Sequence, residues 1–168
     1  SGEVTSIGER AFFGTPWLAA RQSEQPLVVV NDIVVDGAAC GARVVIPPSV
    51  KSVSGWSFFN CFALRQLCLS SPDIKLEGHA FRNCINLDSV RLADDREFRL
   101  RSIADVADEA LPEAVRQIFA DSYNCFKTDE EYQLVECTGN IERLILPRGI
   151  VAIGDGVFND SNLLTHIR

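Results

Sequence analysis

Ile46-Pro47-Pro48-Ser49-Val50-Lys51-Ser52-Val53, then Phe58, Asn60-Cys61, Leu64, Leu67 and Leu69, decides the fold, because the chain says it again. The next phrase runs Leu69, Ile74, Leu76, Phe81, Asn83-Cys84, Leu87, Val90 and Leu92. The last runs Leu146-Pro147-Arg148-Gly149-Ile150-Val151-Ala152-Ile153, Phe158, Asp160-Ser161, Leu164 and Ile167. Ile7, Phe12 and Leu18 keep the same two spacings at the start of the chain. Phe58 and Phe81 are 23 residues apart, and Phe12 and Phe58 are 46 apart, twice that period. A fixed period of this length marks a solenoid, in which each unit buries its apolar side only against its neighbours.

One unit is expected to fold as follows. Leu-x-x-Leu-x-Leu places its last two leucines on one face of a short strand. Val50 to Val53 forms the return side of the coil, and Phe12, Phe58, Phe81 and Phe158 occupy equivalent buried slots. Asn60-Cys61 and Asn83-Cys84 sit at the turn between the two sides, where a short amide can satisfy backbone groups. Cys there acts as a small apolar filler. Thr15 and Ser161 at the same position fit a packing slot better than a metal ligand.

These phrases resemble the BspA-like leucine-rich repeat family of bacterial surface proteins, whose unit reads as a strand followed by Leu-Pro-x-x-Val-x-x-Ile-x-x-x-x-Phe-x-x-Cys-x-x-Leu. The likeness covers about 4–18, 44–92 and 141–168. Gly14-Thr15-Pro16-Trp17-Leu18 and Asn31 to Gly37 also look like that family's hairpin-bearing repeats. The resemblance implies an α/β solenoid, a right-handed coil of short strands. It also implies a cell-surface or secreted bacterial protein, some of whose relatives bind host matrix proteins or other bacteria.

Two stretches break the pattern. Within 19–43, Ala19 to Glu24 reads as a short helix, and 27–37 as two β runs about an Asn-Asp turn. We treat 19–43 as one modified repeat with a β-hairpin. Within 93–140, Ile103, Val106, Ala107, Ala110, Leu111, Ala114, Val115, Ile118 and Phe119 fall at helical spacing. With Pro112 interrupting, this predicts a mostly helical insertion of two short helices. A rival reading makes Leu111 to Ile118 a decayed repeat with Tyr123 in the Phe slot. Tyr132 to Cys137 is expected to return as a strand.

The chain has 168 residues, 46% of them hydrophobic, enough to bury one core as a single domain over 1–168. No apolar run is long enough for a membrane-spanning helix, so membrane insertion of this segment is excluded. The units begin midway through a repeat at Val4 and stop inside a strand at Ile167, and there is no Met. The expectation is a fragment of a longer array. Net charge is −7 and the pI about 4.8, which argues against nucleic acid. That charge sits in 94–136, with 12 Asp/Glu against 5 Lys/Arg, while the remainder has 11 of each. A solvated acidic face is the ordinary reading of such a run. A flap that docks a basic partner is the sharper one.

No catalytic motif is visible. The sequence holds two His, no His-x-x-x-His, no Cys-x-x-Cys and no Gly-rich phosphate loop. Neither catalytic residues, cofactor nor metal is expected. Six cysteines do not make a disulfide framework in a chain with its own core. Cys61 and Cys84 are expected as buried thiols, and Cys68, alternating outward, as the most accessible one.

The candidate site is the outer face of the strands. Its positions are Arg43 and Val45, Gln66 and Cys68, Ser89 and Arg91, Arg143 and Ile145, His166 and Arg168. From these, Arg43, Gln66, Ser89, Arg91, Arg143, His166 and Arg168 are the expected ligand-binding residues. Arginine favours carboxylate or phosphate gripped by two prongs, although Arg on an exposed strand also serves to keep a sheet unaggregated. The reading is a noncatalytic binding module that takes a protein or glycan ligand, acidic in character. The rival class is a spacer that holds neighbouring domains off the cell surface.

Overall fold

A computed structural model of the chain describes residues 4–71, 73–100, 102, 105, 108–138 and 142–168. They form a β-solenoid of about five turns at roughly 23-residue spacing. Helix α1 (Pro16–Glu24) leads into a hairpin of β1 (Val28–Val30) and β2 (Ile33–Asp36). Three units follow, carrying β3 (Arg43–Ile46) and β4 (Ser52–Val53), β5 (Gln66–Leu69) and β6 (Lys75–Leu76), then β7 (Ser89–Arg91) and β8 (Glu97–Arg99). Helix α2 (Glu113–Ser122) precedes a second hairpin of β9 (Phe126–Thr128) and β10 (Gln133–Cys137). The chain ends with β11 (Arg143–Leu144), β12 (Ala152–Ile153) and β13 (His166–Ile167).

The period becomes register. Arg43 pairs with Gln66 and Gln66 with Ser89, while Val44, Leu67 and Val90 align on the next position. The return side stacks in the same way, Ile33 with Ser52 and Ser52 with Lys75. Phe58 and Phe81 are fully buried and stacked, with centroids 4.8 Å apart and planes 9° from parallel. Phe12 and Phe158 occupy the corresponding slots but are only half-buried, because no rung of the described chain covers their outer sides.

The turn column works differently from expectation. Asn60 and Asn83 adopt left-handed backbone, φ 58° and 61°, which Asn tolerates better than most residues. Their amides bond each other, Asn83 Nδ2 donating to Asn60 Oδ1 at 3.1 Å. The backbone is satisfied by the next rung instead: Phe58 N donates to Ala80 O and Asn60 N to Arg82 O. Each cysteine thiol donates back one rung, Cys61 to Gly37 O at 3.5 Å and Cys84 to Phe58 O at 3.1 Å.

Over 93–140 the described residues give one helix and three strands, β8, β9 and β10, where two helices are expected. Most of the predicted first helix, including Ile103, Val106 and Ala107, lies outside the described residues. The second is α2, and it is docked: Val115, Ile118 and Phe119 are fully buried in the core of the first three units. It takes the place of a rung, since Asn83 N donates to Asp121 O as Asn60 N does to Arg82 O. Its Gln117 also donates to Leu76 O on the return strand β6. Of Leu111 to Ile118, the stretch the rival reading made a decayed repeat, Glu113 onward is helical.

The second hairpin repeats the first at an offset of 100 residues. Ile33 and Val34 pair with Ser52 and Val53, as Gln133 and Leu134 pair with Ala152 and Ile153. Both hairpins shift register at the same place, around Val35 and Val135. Arg43 and Arg143, Pro47 and Pro147, Phe58 and Phe158, and Leu64 and Leu164 are identical across that offset. The chain is thus built twice from one larger module of helix, bulged hairpin and repeat.

Candidate binding surfaces

The strand face is divided. Its first sheet runs β3-β5-β7-β8 and its second β11-β13. The first ends on β8, which doubles back antiparallel to β7, with Ser89 opposite Arg99 and Arg91 opposite Glu97. Five rungs expected in one row are therefore three and two.

Arg43, His166 and Arg168 are exposed, and Gln66 and Arg91 half-exposed. Ser89 is not part of an open face: flanked by β5 and β8, it is 3% exposed. Cys68 is likewise not the accessible thiol, being 8% exposed in register between Val45 and Arg91. Arg43 reaches across to it, Nη2 lying 3.9 Å from Sγ. Arg143 pairs through its backbone with His166. The face also carries acids that strand positions alone do not reveal. Asp95 holds Arg91 at 2.9 Å, and Glu97 accepts from Gln66 at 3.0 Å. Arg99 and Gln66 beside Glu97 hold its carboxyl below the usual range.

A cleft of about 650 Å³ opens where the face divides. Arg65, Arg99 and Arg148 line it, with Asp88 the one acid among the described residues. Ile85, Leu100, Ile145 and Tyr123 supply apolar surface. The Tyr123 hydroxyl donates to Leu87 O, and burial pushes its pKa well above the ordinary phenol value. Sequence reasoning missed these three arginines because none is an outward position of a repeat strand and only the break in the sheet brings them together.

An aromatic ridge on the coil's edge was also missed. Arg10, Trp56 and His79 stand two residues before successive spine phenylalanines, all with left-handed backbone. The Arg10 guanidinium lies 4.5 Å from the Trp56 ring and 5.3 Å from that of Phe13, which is 71% exposed. Trp56 leans on His79 at 5.5 Å and donates to Glu9 at 3.1 Å. The readable signal was the repeated slot before each Phe.

Cys125 and Cys137 meet across the second hairpin, where Cys137 pairs with Phe126 and Thr138 N donates to Cys125 O. The Cys125 thiol is buried and bonded to its neighbour, which raises its pKa, while the same bond lowers that of half-exposed Cys137. Among the described residues, no group of three His, Cys, Asp or Glu is arranged to hold a metal ion. No helix among them is long and apolar enough to cross a membrane.

A stacked, short-stranded coil with its residues spent on register defines a leucine-rich-repeat scaffold, a class that works through its surface. The family model for the BspA type leucine rich repeat region matches residues 5–105 in six copies, and the chain belongs to that family. No curated protein and no solved structure matches it. Membership makes this a repeat protein of a kind suited to protein binding or surface roles. Such folds are typically noncatalytic, and the family is typically surface-associated in bacteria.

Proposed function

We propose that the chain is a noncatalytic binding module, acting at or outside the bacterial cell surface, that recognises an acidic protein or glycan through its strand face. The observation that carries this is a set of basic side chains presented outward on a protein of net charge −7. Arg43, His166 and Arg168 are exposed, with no ion pair among the described residues. Arg143, on the same strand line, belongs to this reading, with Gln66 and Arg91 at its margin. Ser89 could act only from beneath that surface.

The test is a screen of acidic and neutral glycans and matrix proteins against the parent and an Arg43→Glu, Arg168→Glu double variant over a salt series. Binding that weakens with salt and with charge reversal supports the reading. Absence of any ligand across the screen would favour the spacer. Ligand binding that survives both perturbations would move the site off this face.

A further inference from the structure

The cleft between the two sheets is bordered by strand edges that carry no partner strand among the described residues. Leu100 N donates to Asp88 O and Leu92 N to Arg96 O, each at 2.9 Å. In the register of Val90 with Phe98, this alternation turns the N–H and C=O of Glu97 and Arg99 away from β7. On the other side, Arg168 N donates to Leu144 O at 3.0 Å and Leu146 N to Arg168 O at 2.9 Å. Leu144 and Leu146 thus face β13, and Ile145 turns its backbone the opposite way. Among the described residues, no strand pairs with the outer edge of β8 or of β11. Arg99 and Leu100 from one edge, and Ile145 and Leu146 from the other, line the same cleft.

We propose that this cleft docks an extended acidic segment of a partner protein as an added β-strand. This rests on the reading of the chain as a binding module and gives it a partner class. Unpaired edges of native sheets are usually blunted or covered, and strand addition uses them for main-chain hydrogen bonds while side-chain pockets supply selectivity. The pockets here are of two kinds. Arg65 and Arg148 are exposed and form no ion pair among the described residues, and Arg99 is held only by Glu97 at 3.2 Å. Ile85, Leu100 and Tyr123 offer an apolar floor. Because successive side chains of a strand point to opposite sides, a segment alternating acidic and apolar residues would meet both. An acidic polysaccharide would satisfy the arginines but leave the strand edges unused. The volume, about 650 Å³, lies in the ordinary ligand-site range of roughly 300–1,000 Å³.

The experiment uses a fluorescein-labelled hexapeptide of alternating Glu and Val, read by anisotropy against the whole chain. Three comparisons accompany it: the same peptide with Gln for Glu, the same peptide with N-methylated amides, and a heparin oligosaccharide. Expected is saturable binding of the first, weakened about tenfold or more, or ~1.4 kcal/mol, by either peptide change and by an Arg65→Glu, Arg148→Glu double variant. An Arg21→Glu variant, on helix α1 and outside the lining of the cleft, should bind it as the parent does. Amide exchange should slow at Glu97, Arg99 and Ile145 when peptide is added. Equal binding of the N-methylated peptide, unchanged exchange at those amides, or binding of the oligosaccharide alone would overturn the proposal. Should the charge-reversed protein misfold, the peptide and exchange measurements still decide. If an acidic ligand binds only through Arg43 and Arg168, this inference fails while the binding-module reading stands.

Discussion

Residues 33–68 and 133–168 are two castings of one module that start out buried alike, Val34 with Leu134 and Val44 with Leu144, and part company farther along. Val53 and Leu67 are wholly buried, while Ile153 and Ile167 at the matching positions are 46% and 47% exposed. Phe58 is stacked on Phe81, and Phe158 is half-buried. The same backbone pairs form in both copies, so the difference does not lie in local structure. It lies in what stands next to each rung: the first copy is covered by the following unit and by α2, while the second packs on Ile85, Tyr123, Cys125 and Phe126 on one side and has no described rung on the other. In a coil of this kind a side chain's contribution is set by its neighbour rung rather than by its own sequence slot.

The largest effect should expose that rule directly. Phe58→Ala removes a fully buried ring from the spine and should cost about 3–5 kcal/mol. Phe158→Ala, the same change in the same slot, should cost less than half as much. Denaturant midpoints of the two variants measure this, and equal losses would mean that the copies are packed alike after all.

Gly37 sharpens the comparison. A Cβ there would stand 2.1 Å from the Phe58 ring, so the close approach of hairpin and spine requires glycine. The second copy has Cys137 at that position and does without so tight a contact. Gly37→Ala should destabilise by about 1–3 kcal/mol through overpacking, whereas Cys137→Ala should be nearly neutral. Thermal unfolding of both variants is the check. Thr15→Ala should follow at about 1 kcal/mol, because the Thr15 hydroxyl accepts from Leu18 N and caps α1. Helix α2 has Pro112 at that point and no side-chain cap.

Thiol chemistry separates the copies in another way. Cys40, Cys61 and Cys84 of the first half are buried, and burial raises all three, Cys40 to about 12. Cys137 is lowered by Cys125 beside it. Labelling with an alkylating reagent should therefore reach Cys137 first, with a rate that rises at lower pH than that of an isolated thiol. Faster labelling at Cys68 would show that Arg43 and its strand neighbours do not shield it.

Much of this was legible in the chain. The period named the strands, their register and the spine, because each unit repeats the same chemistry. The first hairpin was readable from Asn31-Asp32 between two β runs. Of the second only the return strand over 132–137 was readable; its partner β9 was hidden because the connection runs from Asp129 to Tyr132, two residues longer, and its flanks are charged. The 100-residue correspondence needs the bulges at Val35 and Val135 to become plain. The expected site was legible only in part. Alternation places outward residues, but it does not show that β8 folds back over Ser89, or that Asp95 and Glu97 engage Arg91 and Gln66. The cleft was invisible because Arg65 and Arg148 come from two separate connections and Arg99 from β8, a strand the repeat does not announce.

The smallest effect tests the outer edge of the two modules. Lys51 pairs with Asp32 at 2.8 Å in the first copy, where the second has Val151 and Tyr132. The Asp32 carboxyl is held below its ordinary pKa, chiefly by its bond from Lys51. A carboxyl lowered on folding adds stability above its unfolded pKa, and that contribution is lost as pH falls through the lower, folded value. The pair is exposed, and exposed pairs contribute little in salt. Lys51→Val should leave the melting temperature at neutral pH and moderate salt almost unchanged. What small deficit the variant has at neutral pH should close on the acid limb, near and below pH 4, where the parent loses the contribution and the variant has none to lose. A pronounced loss at neutral pH would mean that Lys51 anchors the hairpin to the return strand, and that the second module, lacking the pair, holds its own hairpin by other means.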